Sequence, residues 1–363
     1  MDTTVPNIKF DERGECTYCK IHDMLEKRKP IEKERLDRLV EEIRKKGEDK
    51  KYDCVVGVSG GRDSTYALYM TKKLGLRPLA VHFDNGWNSE IAVSNIKKAT
   101  DRLDVDLYTH VADWEEFKDL QKSFLRASVP DAEVPTDYVI TSVLFLTANK
   151  EGVKYVINGH SFRTEGTSPL GWTYMDGRYI KAIHKKFGEK KLKSFPILSM
   201  SKLLYYVFVK KIREVRLLEY MDYRQKEVER ILESELGWKY YGGHHHESVY
   251  THFFQSYILP KKFNIDKRKT EYSALIRSGQ MTRDEALKKI KENEYPYEED
   301  VVNYTISKLG LTKDEFDKIF SAEVKSFKDY PSYYPLIKSM KTPIKMACKM
   351  GMLPDILYLK YFG

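Results

Sequence analysis

The six residues Ser59-Gly60-Gly61-Arg62-Asp63-Ser64 have the types and spacing that phosphate chemistry requires. They follow an apolar run, Cys54 to Val58, and precede a stretch with helical periodicity. A loop so placed points free backbone N–H groups and the positive end of a helix dipole at one small region, which favours an anion. Gly60 and Gly61 let the backbone approach phosphate oxygens, while Ser59 and Ser64 add hydroxyl donors. Asp63 is the odd member: a carboxylate beside phosphates is best used to hold Mg²⁺ bridged to a nucleotide. The string has neither the Lys of a Walker loop nor the third Gly of a dinucleotide loop. The competing reading is a strand-to-helix turn whose Ser, Gly and Asp only cap the helix.

The elements around this loop repeat one theme. Strand-like runs at 53–59, 77–84, 104–111 and 154–160 alternate with helical patterns at about 63–74, 88–102, 113–126 and 137–151. Such alternation predicts a doubly wound parallel α/β sheet, whose ligands gather beyond the carboxyl ends of the strands. Three polar clusters fall there: the loop itself, FDNGWNS (83–89) and NGHSFRTEG (158–166). Beyond residue 185 the pattern becomes helical, at 199–220, 222–236, 267–278, 282–293, 298–309 and 312–327, with Asp222, Thr282 and Thr312 as caps. The expected organisation is an N-terminal segment 1–48, an α/β domain 49–185 and a mostly helical region 186–363 for substrate or partners.

At SGGRDS the chain resembles the PP-loop ATP pyrophosphatases, the adenine nucleotide alpha-hydrolase-like group whose signature is SGGxDS. The resemblance implies ATP cleaved between its α and β phosphates, with AMP transferred to a carbonyl oxygen that a nitrogen or sulfur nucleophile then displaces. It also implies adenine held after the second strand by Val81, His82, Phe83 and Asp84, although Phe83 as core and Asp84 as a helix cap is the alternative. Gly159, His160, Arg163 and Glu165 would lie near the phosphates, with the cation neutralising departing pyrophosphate.

Three further stretches resemble a narrower family. MDTTVPNIKFDERGECTYC, SVPDAEVPTDYVI (128–140) and the long YYGGHHHES…DKRKTEYSALIRSGQMTRDEAL (240–287) look like the N-acetyl sugar amidotransferases of surface-polysaccharide (LPS) biosynthesis. This family is understood to convert an acetamido group on a sugar, often a sugar nucleotide, into an acetamidino group. O-adenylation of the amide gives an imidate that ammonia attacks. A glutaminase and a cyclase-like partner supply the ammonia. On this resemblance the substrate residues are Asp137, His245, His246, Glu247, Lys267 and Arg268, against a solvated basic turn as the plain reading of the histidine run. Cys16 and Cys19 have zinc-ligand spacing but form half a site; the family implies a second CxxC, and His22 is another candidate ligand.

Composition sets the outer bounds. At 41% hydrophobic and 32% charged, with no apolar run near the ~20 residues of a membrane helix, the expectation is a cytoplasmic protein without a membrane partner. Lys+Arg exceed Asp+Glu by 63 − 54 = 9, which suits anionic ligands without choosing among them. Four cysteines, one inside a strand, do not make a disulfide framework. Two rivals stand beside the amidotransferase. A tRNA-modifying PP-loop enzyme is disfavoured because no Cys follows the rim motifs, and a non-enzymatic ATP-binding module because SGGRDS is complete. A homo-oligomer built on the helical C-terminal part is open.

Overall fold

The computed structural model describes all residues except Asn7, His244, His245, 293–296, Pro354 and Gly363, and the side chains of 355 and 356. Two helices, α1 (Thr17–Arg28) and α2 (Lys33–Gly47), lead into the α/β layer. There β1 (Cys54–Gly57), α3 (Arg62–Lys73), β2 (Pro78–Asp84), α4 (Glu90–Leu103), β3 (Leu107–Val111), α5 (Trp114–Ala127), α6 (Val134–Lys150) and β4 (Tyr155–Asn158) follow in order. Then come α7 (Gly177–Phe187), α8 (Met200–Leu204), β5 (Arg213–Arg216) and α9 (Gln225–Leu236). The remainder is helical: α10 (Val249–Phe253), α11 (Leu259–Phe263), α12 (Arg268–Arg277), α13 (Arg283–Glu292), α14 (Glu299–Lys308), α15 (Lys313–Ser321), α16 (Tyr334–Ser339), α17 (Lys341–Lys349) and α18 (Asp355–Phe362).

Among the described residues the five strands run parallel in the order β3-β2-β1-β4-β5. The order reverses between β1 and β4, so the crevice for a ligand opens beyond the carboxyl ends of those two strands. Side chains alternate between the faces because a strand has period two. Val55, Leu79, Val81 and Val156 join one core with Phe117, Leu120 and Val143, whereas Val56, Ala80, Ile157 and Val215 join a second with Leu68, Ile96 and Leu232. The first core continues into Tyr250, Phe253, Leu309 and Phe316, so the C-terminal helices and the sheet share one apolar interior.

The expected strands and the helices between them are present, with ends shifted by a few residues. Helix α6 begins at Val134 because Pro135 fits its first turn. The stretch 199–220, read as one helix, is broken: a π-helical turn over Tyr205–Val209 ends α8, and β5 follows. Its four residues, REVR, carry three charges and give no strand signal; their pairing with Tyr155 to Asn158 makes them a strand. Thr312 caps α15 in a capping box with Glu315, and Thr282 and Glu285 exchange the same bonds before α13. Asp222 does not cap α9, which starts after Arg224, and instead pairs with the Arg224 guanidinium at 3.1 Å.

Candidate active site

The loop after β1 is shaped by its glycines. Gly60 has φ +80°, and a Cβ there would lie 2.2 Å from the Ala92 carbonyl oxygen, so the left-handed turn against α4 admits no side chain. Its own carbonyl accepts from the Trp238 indole (3.0 Å) and from Asn95 Nδ2 (3.2 Å). Across the crevice, a Cβ on Gly159 would lie 2.6 Å from the Asp63 carbonyl and 2.7 Å from Ser64 N. The end of β4 therefore touches the first turn of α3. Within the loop, Ser59 N–H donates to Ser64 Oγ (3.1 Å), the two hydroxyls are 3.0 Å apart, and Gly61 N–H donates to Ser59 Oγ (3.3 Å).

Asp63 lies in the first turn of α3. Its Oδ1 accepts from the Tyr223 hydroxyl and from Arg62 Nε (2.8 Å). Among the described residues no hydrogen bond is made to Oδ2, and a carboxylate with one oxygen not so engaged fits a Mg²⁺ that takes its other ligands from phosphates and water. The Arg62 side chain, expected at the nucleotide, is turned away: it holds Asp63, the Tyr223 hydroxyl (3.0 Å) and Glu229 (2.9 Å). What Arg62 presents to the crevice is its backbone N–H, which donates to the Tyr241 hydroxyl at 3.3 Å.

At the end of β2 only part of the expected adenine ledge is accessible. Phe83 is a core residue, 7% exposed and edge-on to Phe117, which corrects its assignment as a ligand contact. His82 is also buried, with Nδ1 2.9 Å from the Val58 carbonyl and Nε2 3.1 Å from Asn88, and burial pushes its imidazole below the ordinary histidine range. Asp84 accepts from Gly86 N–H (2.9 Å) and Asn88 Nδ2 (3.2 Å), shaping the turn that carries the chain to α4. Ser89, not Asp84, caps that helix.

The end of β4 separates two of the expected residues. His160 pairs with Glu165 at 2.7 Å on the exposed side of the rim, and that carboxylate raises the imidazole above its ordinary range. Arg163 is 4% exposed and spends its guanidinium on Glu26 (2.7 Å twice) and on the carbonyls of Glu219 and Lys29. The expectation that it neutralises pyrophosphate is therefore replaced by a clamp between α1 and the end of β5. Arg216 takes up the rim position beside Glu214, whose carboxyl burial tends to raise but Arg216, Asn158 and His160 hold below its ordinary range.

The C-terminal region reaches back over the loop. Ser89 N–H donates to the Glu247 carbonyl and Val249 N–H to the Trp87 carbonyl, both at 2.9 Å, joining the stretch after β2 to the start of α10. This places Glu247 Oε1 3.1 Å, and the Tyr241 hydroxyl 3.2 Å, from where a Cβ on Gly61 would stand. His246 stacks on His252 with ring centroids 3.6 Å apart, and His245 lies outside the described residues. Lys267 pairs with Glu133 (3.3 Å) and Arg268 with Asp266 (2.7 Å), so neither is the uncompensated cation the sequence implied. Asp137, in the first turn of α6, shares its surroundings with Lys360 of α18, which donates to Thr173 Oγ1 (2.9 Å). Burial pushes the Lys360 ammonium down to about 8. Tyr223, Tyr241 and Lys360 carry no motif and are visible only in the folded chain.

Cys16 caps α1 and its sulfur lies 3.5 Å from that of Cys19. The thiol–thiol contact holds Cys16 well below the usual thiol range, at about 6, and raises Cys19. His22 is buried nearby, edge-on to Phe162. Among the described residues no group of three or more His, Cys, Asp or Glu side chains is arranged to hold a metal ion, so the zinc expectation has no support here.

Two family models match separate parts of the chain. Residues 53–159 match a family model described as queuosine biosynthesis protein QueC, and residues 247–343 match one described as LPS biosynthesis protein WbpG-like, C-terminal domain. Uncharacterized protein MJ1599 of Methanocaldococcus jannaschii is 26% identical over 275 residues, 73% of this chain and 82% of its own. Among solved structures, NMN synthetase from Francisella tularensis aligns over 77% of this chain and 96% of its own, at 15% identity and a TM-score of 0.34. The NH3-dependent NAD synthetase from Campylobacter jejuni aligns over 61% and 93%, at 14% identity and a TM-score of 0.28. Over residues 53–159 the α/β layer is thus similar to the QueC family, and over residues 247–343 the C-terminal helices are similar to the WbpG-like domain.

Proposed function

We propose that the protein is an ATP-dependent amidotransferase that replaces the acetamido oxygen of an N-acetylated sugar, nucleotide-linked or a nonulosonic acid, with ammonia. The observation that carries this reading is the position of Glu247. It is the first residue of the WbpG-like match, it stands against Gly61 of the PP-loop, and its backbone is bonded to Ser89. A region similar to an LPS biosynthesis domain would thus form one wall of the proposed nucleotide site.

The N–H groups of Gly61 and Arg62, with the hydroxyls of Ser59 and Ser64, would bind the phosphates at the N-terminus of α3. Asp63 would hold Mg²⁺, which supplies charge neutralisation as pyrophosphate leaves. The amide oxygen attacks the α-phosphorus and pyrophosphate departs; ammonia then attacks the imidate carbon and the oxygen leaves with AMP. His160, paired with Glu165, would move a proton in the second step. Asp137, His246, Glu247, Lys267 and Lys360 would line the sugar side. Ammonia comes from a separate glutaminase and cyclase-like partner.

The test is mass spectrometry of acetamido sugars incubated with the protein, ATP, Mg²⁺ and ammonium. Conversion appears as the mass decrease of an oxygen replaced by NH, with AMP formed in equal amount. AMP formation without that product, or tRNA retained on purification, would favour the tRNA-modifying alternative.

A further inference from the structure

The rim of the sheet opposite the PP-loop carries a feature that nucleotide chemistry does not use. Helix α8 ends in the π-helical turn Tyr205–Val209, after which Lys211 passes through a left-handed backbone (φ 54°) into β5. Tyr206, Val207 and Ile212 are buried and root this turn in the core. Leu204, Tyr205, Phe208 and Val209 point outward, with exposures of 41, 44, 40 and 64%. Four adjacent apolar side chains in water need an occupant.

Lysines surround them. Lys202 lies 5.8 Å over the Tyr206 ring and Lys210 lies 5.7 Å over the Tyr205 ring. Lys154, just before β4, donates to the Lys210 carbonyl (2.9 Å). Burial and the neighbouring Lys210, Lys50, Lys46 and Lys211 hold the Lys154 ammonium below the ordinary lysine range. Carboxylates at this end of the sheet are engaged elsewhere: Glu42 with Arg213 (3.5 Å), Asp53 with Arg77 (2.7 Å) and Asp106 with Lys51 (2.9 Å). Like charges crowded at one end of a sheet favour an external anion.

We infer that this rim binds the surface of an anionic lipid bilayer, with Leu204, Tyr205, Phe208 and Val209 entering the headgroup–acyl boundary and Lys46, Lys50, Lys154, Lys210 and Lys211 meeting lipid phosphates. The pairing of exposed aromatic and aliphatic side chains with lysines is what interfacial binding requires. The patch is too small for a protein partner to hold by burial: four partly exposed side chains offer a few hundred Å², against the ~800 Å² per partner of a stable protein interface. No described helix is long and apolar enough to cross a membrane, so the contact is a lying-on and not a crossing. Because Lys50, Lys154 and Lys211 all precede their parallel strands, docking here leaves the PP-loop rim facing away from the bilayer.

Co-sedimentation of the full chain with phosphatidylcholine vesicles, and with vesicles containing added phosphatidylglycerol, tests the inference. The protein should sediment with the anionic vesicles at low salt and be released at high salt or from phosphatidylcholine alone. The pair Phe208→Ser/Val209→Ser and the pair Lys210→Glu/Lys211→Glu should each lower binding about 10-fold or more, with an unchanged circular dichroism spectrum and unchanged AMP formation. Absence of binding to anionic vesicles, or binding that neither pair weakens, overturns it. So does a dimer in analytical ultracentrifugation that Phe208→Ser/Val209→Ser dissociates, since the patch would then belong to a second copy.

Discussion

The Tyr241 hydroxyl stands 3.3 Å from the backbone N–H of Arg62, the first residue of the helix that the PP-loop opens. A side chain 179 residues away thus occupies a donor that a phosphate oxygen would use. Removing it frees that donor. Tyr241→Phe is expected to bind ATP about 2- to 10-fold more tightly, the worth of one hydrogen bond, as read by isothermal titration calorimetry. Unchanged affinity would mean that the tyrosine and ATP coexist on the loop.

Tyr223 and Arg62 hold one carboxylate oxygen of Asp63, and among the described residues no hydrogen bond is made to the other. Asp63→Asn preserves those contacts in shape but not the charge. Pyrophosphate release should fall by roughly 10³-fold, with the melting temperature changed by little. A variant retaining full activity would remove Asp63 from the metal role.

Gly159 allows β4 to touch α3, and an added methyl would meet the Asp63 carbonyl and Ser64 N inside 3 Å. Backbone atoms on both sides leave nothing flexible to yield. Gly159→Ala should therefore displace the loop and cost about 1–3 kcal/mol of stability. Thermal unfolding measures the cost, and a parallel loss of ATP binding locates the displacement.

Arg163 is a buried clamp, its donors divided between Glu26 and two carbonyls. Arg163→Ala should cost about 2–4 kcal/mol, because those acceptors lose their partner, while the rate of any folded fraction stays close to that of the parent. A large selective loss of rate with unchanged stability would return Arg163 to the phosphates.

His160 is raised above its ordinary value of 6.5 by the Glu165 carboxylate. A raised imidazole contributes stability that is complete below the unfolded value and is lost as pH rises through the higher folded one. With the side chain 59% exposed the contribution is small, under about 1 kcal/mol. In Glu165→Gln the His160 ring protons, followed by NMR, should titrate at lower pH than in the parent. An unmoved titration would show that the pair does not set the imidazole's charge.

What local pattern can encode was legible. The alternation of strands and helices follows from apolar periodicity over a few residues, and SGGRDS stands between a buried strand and a helix as its glycines require. Strand β5 was not legible, because REVR is a strand only by pairing with β4.

The sequence by itself determined the glycine-rich loop, the parallel sheet that presents it and the resemblance that names a substrate class. Tertiary structure decided which side chains finish the site. Arg163 and Phe83 were turned from ligand contacts into clamp and core, since Glu26 and Phe117 stand beside them only after folding. Tyr223, Tyr241 and Glu247 were brought to the loop from more than 150 residues away. The reason is physical: a hydrogen bond or a buried ring depends on distance in space, and distance along the chain carries almost no information about it once two elements pack through a shared core.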